Sequence, residues 1–364
     1  MNNPFTPNFG QVPMYLAGRQ DVISEMTNVF KGDLNSPNLC SLFTGARGTG
    51  KTALLSLLAQ EASSMGWISV SSTGVKGFLE DLYEQVVRNT SQLLEPKSKT
   101  RIKSVSVGQL VGIELEKEGD TNLNWRSRMT NVLEVLKERG VGLLIAVDEV
   151  DPCLEETVKL VTTYQQFIGE GFAVSLLMAG LPHRVSSLLN GKSISFLRRA
   201  NIVKLGRIED FEVRDALVNT VEDTGGKIEN GALDLAVNAI EGFPFMMQLV
   251  GYYSWNATAA GLIDESAVTE GIDKARAAFR TRVLDATLND LTDREIEFLK
   301  AMTSDESFSK TVDLAKRLSM SSGNVSTYKK RLLEQGVIEE PRRGIVRFAL
   351  PHLREYLPEY AEFL

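Results

Sequence analysis

The chain has 364 residues, 43% of them hydrophobic and 24% charged, with a net charge of −7 at pH 7. Such a length suggests two or three domains with cores of their own, and the composition excludes disordered and fibrous classes. The acidic balance excludes a protein coated in basic surface, so any contact with nucleic acid needs a local patch.

Residues 1–11 lack the basic start and apolar core of a signal peptide. From there to about residue 206, short β-rich apolar runs alternate with amphipathic stretches: "LCSLFTG" precedes "GKTALLSLLAQEASSMG", "WISVSS" precedes "GFLEDLYEQVVRNT", and "GLLIAVDEVD" precedes "EETVKLVTTYQQFIGEG" and "FAVSLLMAG". This alternation predicts βαβ units and a mainly parallel sheet covered on both faces. Residues 101–120 break the rhythm around a central Gly-Gln and read as an inserted β-hairpin. The longest apolar runs, "VGLLIAV" and "FAVSLLMAGL", are shorter than the roughly 20 residues of a membrane-spanning helix. Cys40 and Cys153 have no metal-ligand spacing and suit a reducing compartment. The expectation is a cytoplasmic protein with no membrane partner.

Residues 207–290 lose the β signal. Helical patterns follow one another with Gly, Asn and Asp breaks, which predicts an all-helical domain. Residues 291–364 hold "TDREIEFLKAMT", "TVDLAKRL" and "SSGNVSTYKKRLLEQG", then "VIEEP" and "GIVRFALP", the order of a winged helix-turn-helix. In residues 321–347, Asn324, Ser326, Thr327, Lys329, Lys330 and Arg331 supply an exposed polar and basic face, and Arg342, Arg343 and Arg347 mark the wing. Between Lys310 and Arg347 basic residues outnumber acidic ones, reversing the sign of the whole chain, so double-stranded DNA is a candidate partner.

The chemistry centres on Gly45, Ala46, Arg47, Gly48, Thr49, Gly50, Lys51 and Thr52, spaced G-x-x-x-x-G-K-T between a strand and a helix that Ala53 continues. Glycines let the backbone turn its N–H groups toward a phosphate chain, and the helix start adds partial positive charge. Lys51 is placed to pair with β- and γ-phosphates and Thr52 to take a position on Mg²⁺. Asp148 ends a buried apolar strand, expected beside the loop's own, where a carboxylate needs a cation; it reads as the Mg²⁺ partner and Glu149 as the general base.

These motifs resemble those of AAA+ ATPases. "YLAGRQDVISEM" resembles the segment before the P-loop in the origin-recognition-like and signalling (STAND) branches. That likeness implies that Tyr15, Leu16 and Gly18 flank adenine. "EGFPFMMQLVG" resembles the STAND G-x-P motif, which implies that Pro244 packs near the base or ribose. "ISFLRRANIVKLGRIEDFEVRDAL" resembles the arginine-finger region, which implies a catalytic role for Arg198 or Arg199 toward a neighbouring subunit's nucleotide. Two positions depart from the family. The strand "SLLMAG" ends without a polar sensor, and the G-x-P helix carries Met246, Met247 and Gln248 where an origin-recognition ATPase has a sensor arginine. The resemblance implies an AAA+ P-loop core, a helical lid and a winged helix, holding ATP or ADP with Mg²⁺ and hydrolysing ATP slowly as a switch. The output would be DNA association or, alternatively, a protein effector or homo-oligomer, as in signalling ATPases, or a helper role in a mobile-element or defence system.

Overall fold

The computed structural model describes residues 2–8, 10–94, 124–258 and 261–360; the hairpin predicted at residues 101–120 lies outside them. After α1 (Gln20–Phe30), the chain alternates as predicted: β1 (Cys40–Thr44), α2 (Lys51–Ser64), β2 (Ile68–Thr73), α3 (Phe78–Leu94), α4 (Trp125–Glu138), β3 (Leu143–Asp148), α5 (Glu155–Gly169), β4 (Val174–Gly180), α6 (Pro182–Leu189), a 3₁₀ segment (Lys192–Arg199) and β5 (Asn201–Lys204). The five strands pair in parallel in the order β2-β3-β4-β1-β5.

Both faces of this sheet are covered, which is why its strands read as continuous apolar runs instead of alternating ones. Along β3, Leu143, Ile145 and Val147 pack under α3, α4 and α5. Leu144 and Ala146 point the other way, toward α1 and α2, beside Phe43 and Leu177. The carboxylate strand is not adjacent to the loop strand, as the sequence reading had it: β4 lies between β3 and β1.

The helical unit comprises α7 (Asp210–Asp223), α8 (Asn230–Ile240), α9 (Pro244–Asn256) and α10 (Glu265–Phe279), with β6 (Lys227–Ile228) and β7 (Leu262–Ile263) between them. A π-helical segment (Arg280–Leu284) joins α10 to α11 (Asp285–Leu288). Pro244 occupies the first turn of α9, where its missing N–H has no partner to lose. The N-terminal segment packs here and not on the sheet. Phe5 lies against Gly251, where a Cβ would come within 2.3 Å of its ring, and the Thr6 amide donates to Gln248 Oε1 at 2.9 Å.

The C-terminal unit runs α12 (Asp293–Met302), β8 (Ser309–Lys310), α13 (Thr311–Arg317), α14 (Ser322–Glu334), β9 (Ile338–Arg342), β10 (Ile345–Phe348) and α15 (Leu353–Tyr360). Its antiparallel sheet has the order β8-β10-β9. Ser321 caps α14, accepting from the Asn324 amide at 3.3 Å. The arrangement is consistent with a winged helix. One continuous apolar core runs from Phe5 through Phe243 and Phe279 to Leu332 and Leu357, and it reaches Ala46 in the glycine-rich loop. The helical and C-terminal units therefore share their interior with each other and touch the loop directly.

Candidate functional site

The loop between β1 and α2 has the backbone its sequence demands. Gly48 and Gly50 adopt φ of 81° and 87°, a region costly for any residue with a Cβ. At Gly45 a Cβ would lie 2.5 Å from the Leu205 carbonyl oxygen. Thr49 Oγ1 donates to the Ala46 carbonyl at 2.9 Å and pins the turn. Arg19, buried beside α1, donates to the Gly206 carbonyl at 2.8 Å and the Thr49 carbonyl at 3.5 Å, tying the loop to the end of β5.

Lys51 is buried with its ammonium inside the loop, donating to the Gly45 and Ala46 carbonyls at 3.0 and 2.9 Å. Burial pushes its pKa below the ordinary lysine value, against the pull of Glu149 and Asp148. A buried cation held by backbone carbonyls, with no carboxylate at ion-pair distance among the described residues, is suited to receive an anion.

Although β3 is one strand removed, the helix start swings across and Thr52 Oγ1 donates to Asp148 Oδ2 at 2.5 Å. The turn after β3 is fixed on both sides: the Gly74 amide donates to the Asp148 carbonyl at 2.8 Å, and the Val150 amide to the Ala179 carbonyl at 2.9 Å. Between them Glu149 takes φ of 51°, a strained value for a residue with a side chain. Its amide donates to Asp148 Oδ1 at 2.9 Å. Among the described residues, no three His, Cys, Asp or Glu side chains form a metal cage. The hydroxyl and carboxylate pair fits a Mg²⁺ ion that takes its other oxygens from phosphate and water.

The other predicted positions divide. The Pro244 motif meets the loop itself. Gly242, at φ 68°, accepts from the Ile208 amide at 2.7 Å and directs the following residues inward. The Phe245 amide donates to the Gly48 carbonyl at 3.2 Å, the Phe243 ring sits 2.8 Å from the Cβ position of Gly48, and Pro244 is 3.8 Å from that of Gly50. Tyr15 packs on the helical unit and its hydroxyl donates to Asp223, while Leu16 packs on the α1 and α2 side. Gly18, at φ 67°, abuts Ile208 and Glu212 and walls a cavity of about 220 Å³ with Arg19, Lys204 and Glu212. Arg198 and Arg199 are exposed on the 3₁₀ segment. Arg198 Nε donates to the Leu189 carbonyl at 2.9 Å, and its side chain lines a groove with Lys204 and, from α14, Lys330 and Glu334.

The basic face of the C-terminal unit is partly spent inside the molecule. Lys329 pairs with Glu340 at 2.7 Å, Arg347 with Glu339 at 2.5 Å, and the far end of α14 lies against α6. Ser322, Asn324, Ser326, Thr327 and Arg331 stay exposed, as do Arg342 and Arg343 at the wing.

Several contacts were not legible as functional in the sequence. Gly336, at φ 73° just past α14, presses on the loop so closely that a Cβ would lie 3.1 Å from Ala46 Cα. Arg47 pairs with Asp290 at 2.8 Å, joining the loop to the end of the helical unit. An ion pair this exposed contributes on the order of 0.5 kcal/mol, so it orients more than it holds. Arg207 Nη2 donates to the Phe348 carbonyl at 3.1 Å, a second tie between the sheet's exit and the C-terminal unit.

The strand order, the loop and the Thr52–Asp148 pair define the class: a P-loop NTPase fold of the AAA+ type. Residues 19–199 match the model of the KAP family P-loop domain, and residues 281–357 match a domain of unknown function (DUF8462). Among solved structures, the chain is similar to a Walker-type ATPase of Pyrococcus abyssi, with a TM-score of 0.69 and 12% identity over 94% of this chain and 96% of that one. It is also similar to the ORC2 protein of Aeropyrum pernix in its ADPNP-ADP complexes, with a TM-score of 0.63 and 16% identity over 98% of each chain. The ADP form of that protein gives 0.52 and 15%, over 98% of this chain and 97% of that one. At these identities the likeness is one of fold. No curated protein matches the chain. Among the described residues, no helix is long and apolar enough to cross a membrane.

Proposed function

We propose that the protein is an ATP-dependent switch in which the C-terminal unit is a lid on the phosphate loop. The observation that carries this reading is the contact of Gly336 with Ala46: the loop that would hold phosphate is also a docking surface for the unit 290 residues further along. Lys51 would hold the β- and γ-phosphates, aided by the amides of Gly48, Thr49 and Gly50. Thr52 and Asp148 would hold Mg²⁺, which when bound neutralises phosphate charge. Glu149 is the residue to draw a proton from the attacking water. The base would lie on the Tyr15–Gly18 side, where the cavity beside Gly18 opens. The nucleotide complexes of the similar Aeropyrum pernix protein support ATP and ADP as ligands.

Because Phe243, Pro244 and Phe245 border the loop on one side and Gly336 on another, a change in loop conformation acts on both units at once. Slow turnover fits β4, which ends in the buried apolar residues Met178 and Ala179. The expected result for labels at Ser63 on α2 and Ser322 on α14, in a Cys40→Ser, Cys153→Ser background, is a distance that differs between the ADP-bound and ATP-analogue-bound protein. An identical distance distribution in both states rejects the switch.

A second reading, association with duplex DNA, draws on the exposed first half of α14 and on Arg342 and Arg343. It predicts that Arg342→Glu with Arg343→Glu reduces duplex retention by about tenfold or more at low salt, since each lost phosphate contact weakens binding. Retention unchanged by that charge reversal leaves the lid as the unit's role, with a protein effector as its output. Arg198 and Arg199, being exposed, are available to a neighbouring copy, and a nucleotide-dependent homo-oligomer is what a finger role for either requires.

A further inference from the structure

A groove of about 540 Å³ lies where the sheet and the C-terminal unit meet. Its floor is aliphatic: Val185 and Leu189 from α6, Ile202 from β5 and Leu333 from α14. The floor joins the margins of two cores, since Leu189 packs on the interior of the sheet and Leu333 on that of the C-terminal unit. Ile202 leaves 40% of its surface exposed, and β5 is the edge strand of the sheet, so among the described residues no strand covers this side.

The rim has the opposite character. Arg198, Lys204 and Lys330 are exposed there against one carboxylate, Glu334, on a chain whose net charge is −7. Among the described residues, Arg198 and Lys204 have no carboxylate at ion-pair distance, and Lys330 reaches Glu334 only at 3.8 Å. An exposed pair of that kind is worth little, so all three cations are free to meet an anion. The bond from Arg198 Nε to the Leu189 carbonyl holds that guanidinium at the rim. Thr44, at the end of β1, also lines the groove, and its hydroxyl is buried with no hydrogen-bond partner. A hydroxyl both donates and accepts, so a peptide group or a carboxylate satisfies it.

The wall carries no aromatic ring on which a base stacks, and its aliphatic floor offers nothing to a phosphate backbone. Side chains of a peptide suit it better. We infer that the groove docks an acidic segment of a partner protein, with aliphatic side chains on the floor and Asp or Glu carboxylates facing Arg198, Lys204 and Lys330. The inference goes beyond the switch reading and needs no nucleotide. Because α6 and β5 form one wall and α14 the other, the docked segment touches both units at once.

The test is selection of short random peptides on the immobilised full chain, followed by fluorescence anisotropy of the enriched peptides at physiological salt. Enriched sequences are expected to combine Asp or Glu with Leu, Ile or Val. Their binding to Lys204→Glu with Lys330→Glu is expected to be about tenfold or more weaker than to wild type, as two exposed attractions become repulsions. Ile202→Ser, which removes part of the floor at a half-exposed site, is expected to weaken binding severalfold. Arg342→Glu with Arg343→Glu, which lie outside the groove, is expected to leave affinity within about twofold. No enrichment, enriched peptides without an acidic excess, or equal affinity for wild type and the Lys204, Lys330 variant overturns the inference. A wild-type dimer that the same variant dissolves also overturns it, because the groove then holds a second copy of the chain.

Discussion

Gly336→Val releases the C-terminal unit from the phosphate loop and speeds ADP dissociation by roughly 5-fold to roughly 150-fold. The range follows from the one cost that release relieves. A β-branched residue at φ 73° is strained by about 1–2 kcal/mol whether the unit is docked or released, but its Cβ, 3.1 Å from Ala46 Cα, forces an overpacked contact of about 1–3 kcal/mol only when docked. Gly344→Val is the control. It stands in the same unit at φ 80°, and the nearest atom to its Cβ is Thr311 Oγ1 at 3.6 Å, so it pays the backbone cost alone. The account expects release of a fluorescent ADP to accelerate in Gly336→Val and to stay near wild type in Gly344→Val. Equal rates in the two variants would show that the contact with Ala46 does not gate the nucleotide.

Lys51→Ala is the second large effect. The ammonium is buried, and its present partners are two loop carbonyls, so replacing it removes the one cation that lies inside the loop without a carboxylate partner among the described residues. Charge-assisted hydrogen bonds to phosphate are worth about 1.5–3 kcal/mol each, and loss of two weakens ATP and ADP binding by about 100-fold or more. The fold survives the change, because no apolar contact of the core depends on this side chain. Its unliganded melting temperature is therefore expected to stay within a few degrees of wild type.

Much of the fold could be read because its determinants are local. The apolar runs at β1, β3 and β4 are continuous because both faces of the sheet are covered, and Gly45 to Thr52 has a spacing that only a tight phosphate-type turn requires. Strand order is a long-range property, and nothing within "LLIAVD" says that β4 will insert beside it. The meeting of Thr52 and Asp148 survives that error because it depends on where α2 begins, at the sheet's C-terminal edge, and not on adjacency of the strands.

The contacts between the C-terminal unit and the loop were hidden for the same reason. Gly336 reads in sequence as an ordinary glycine after a helix, and only the folded chain shows that Ala46 lies against it. Arg19 was visible as part of the segment before the loop, yet its hold on the Thr49 carbonyl has no one-dimensional signal. Lys329 shows the converse. Its position on α14 suggests a phosphate contact, but Glu340, eleven residues on, neutralises it across the turn into β9. Pro244 is assigned to the base or ribose by resemblance, and the fold brings it 3.8 Å from the Cβ position of the loop glycine at 50.

The most direct measurement is isothermal titration of wild type and Lys51→Ala with MgATP and MgADP. The account predicts saturable binding of both nucleotides by wild type and a loss of about 100-fold or more in the variant, with folding intact. Wild-type affinity retained in Lys51→Ala would contradict it.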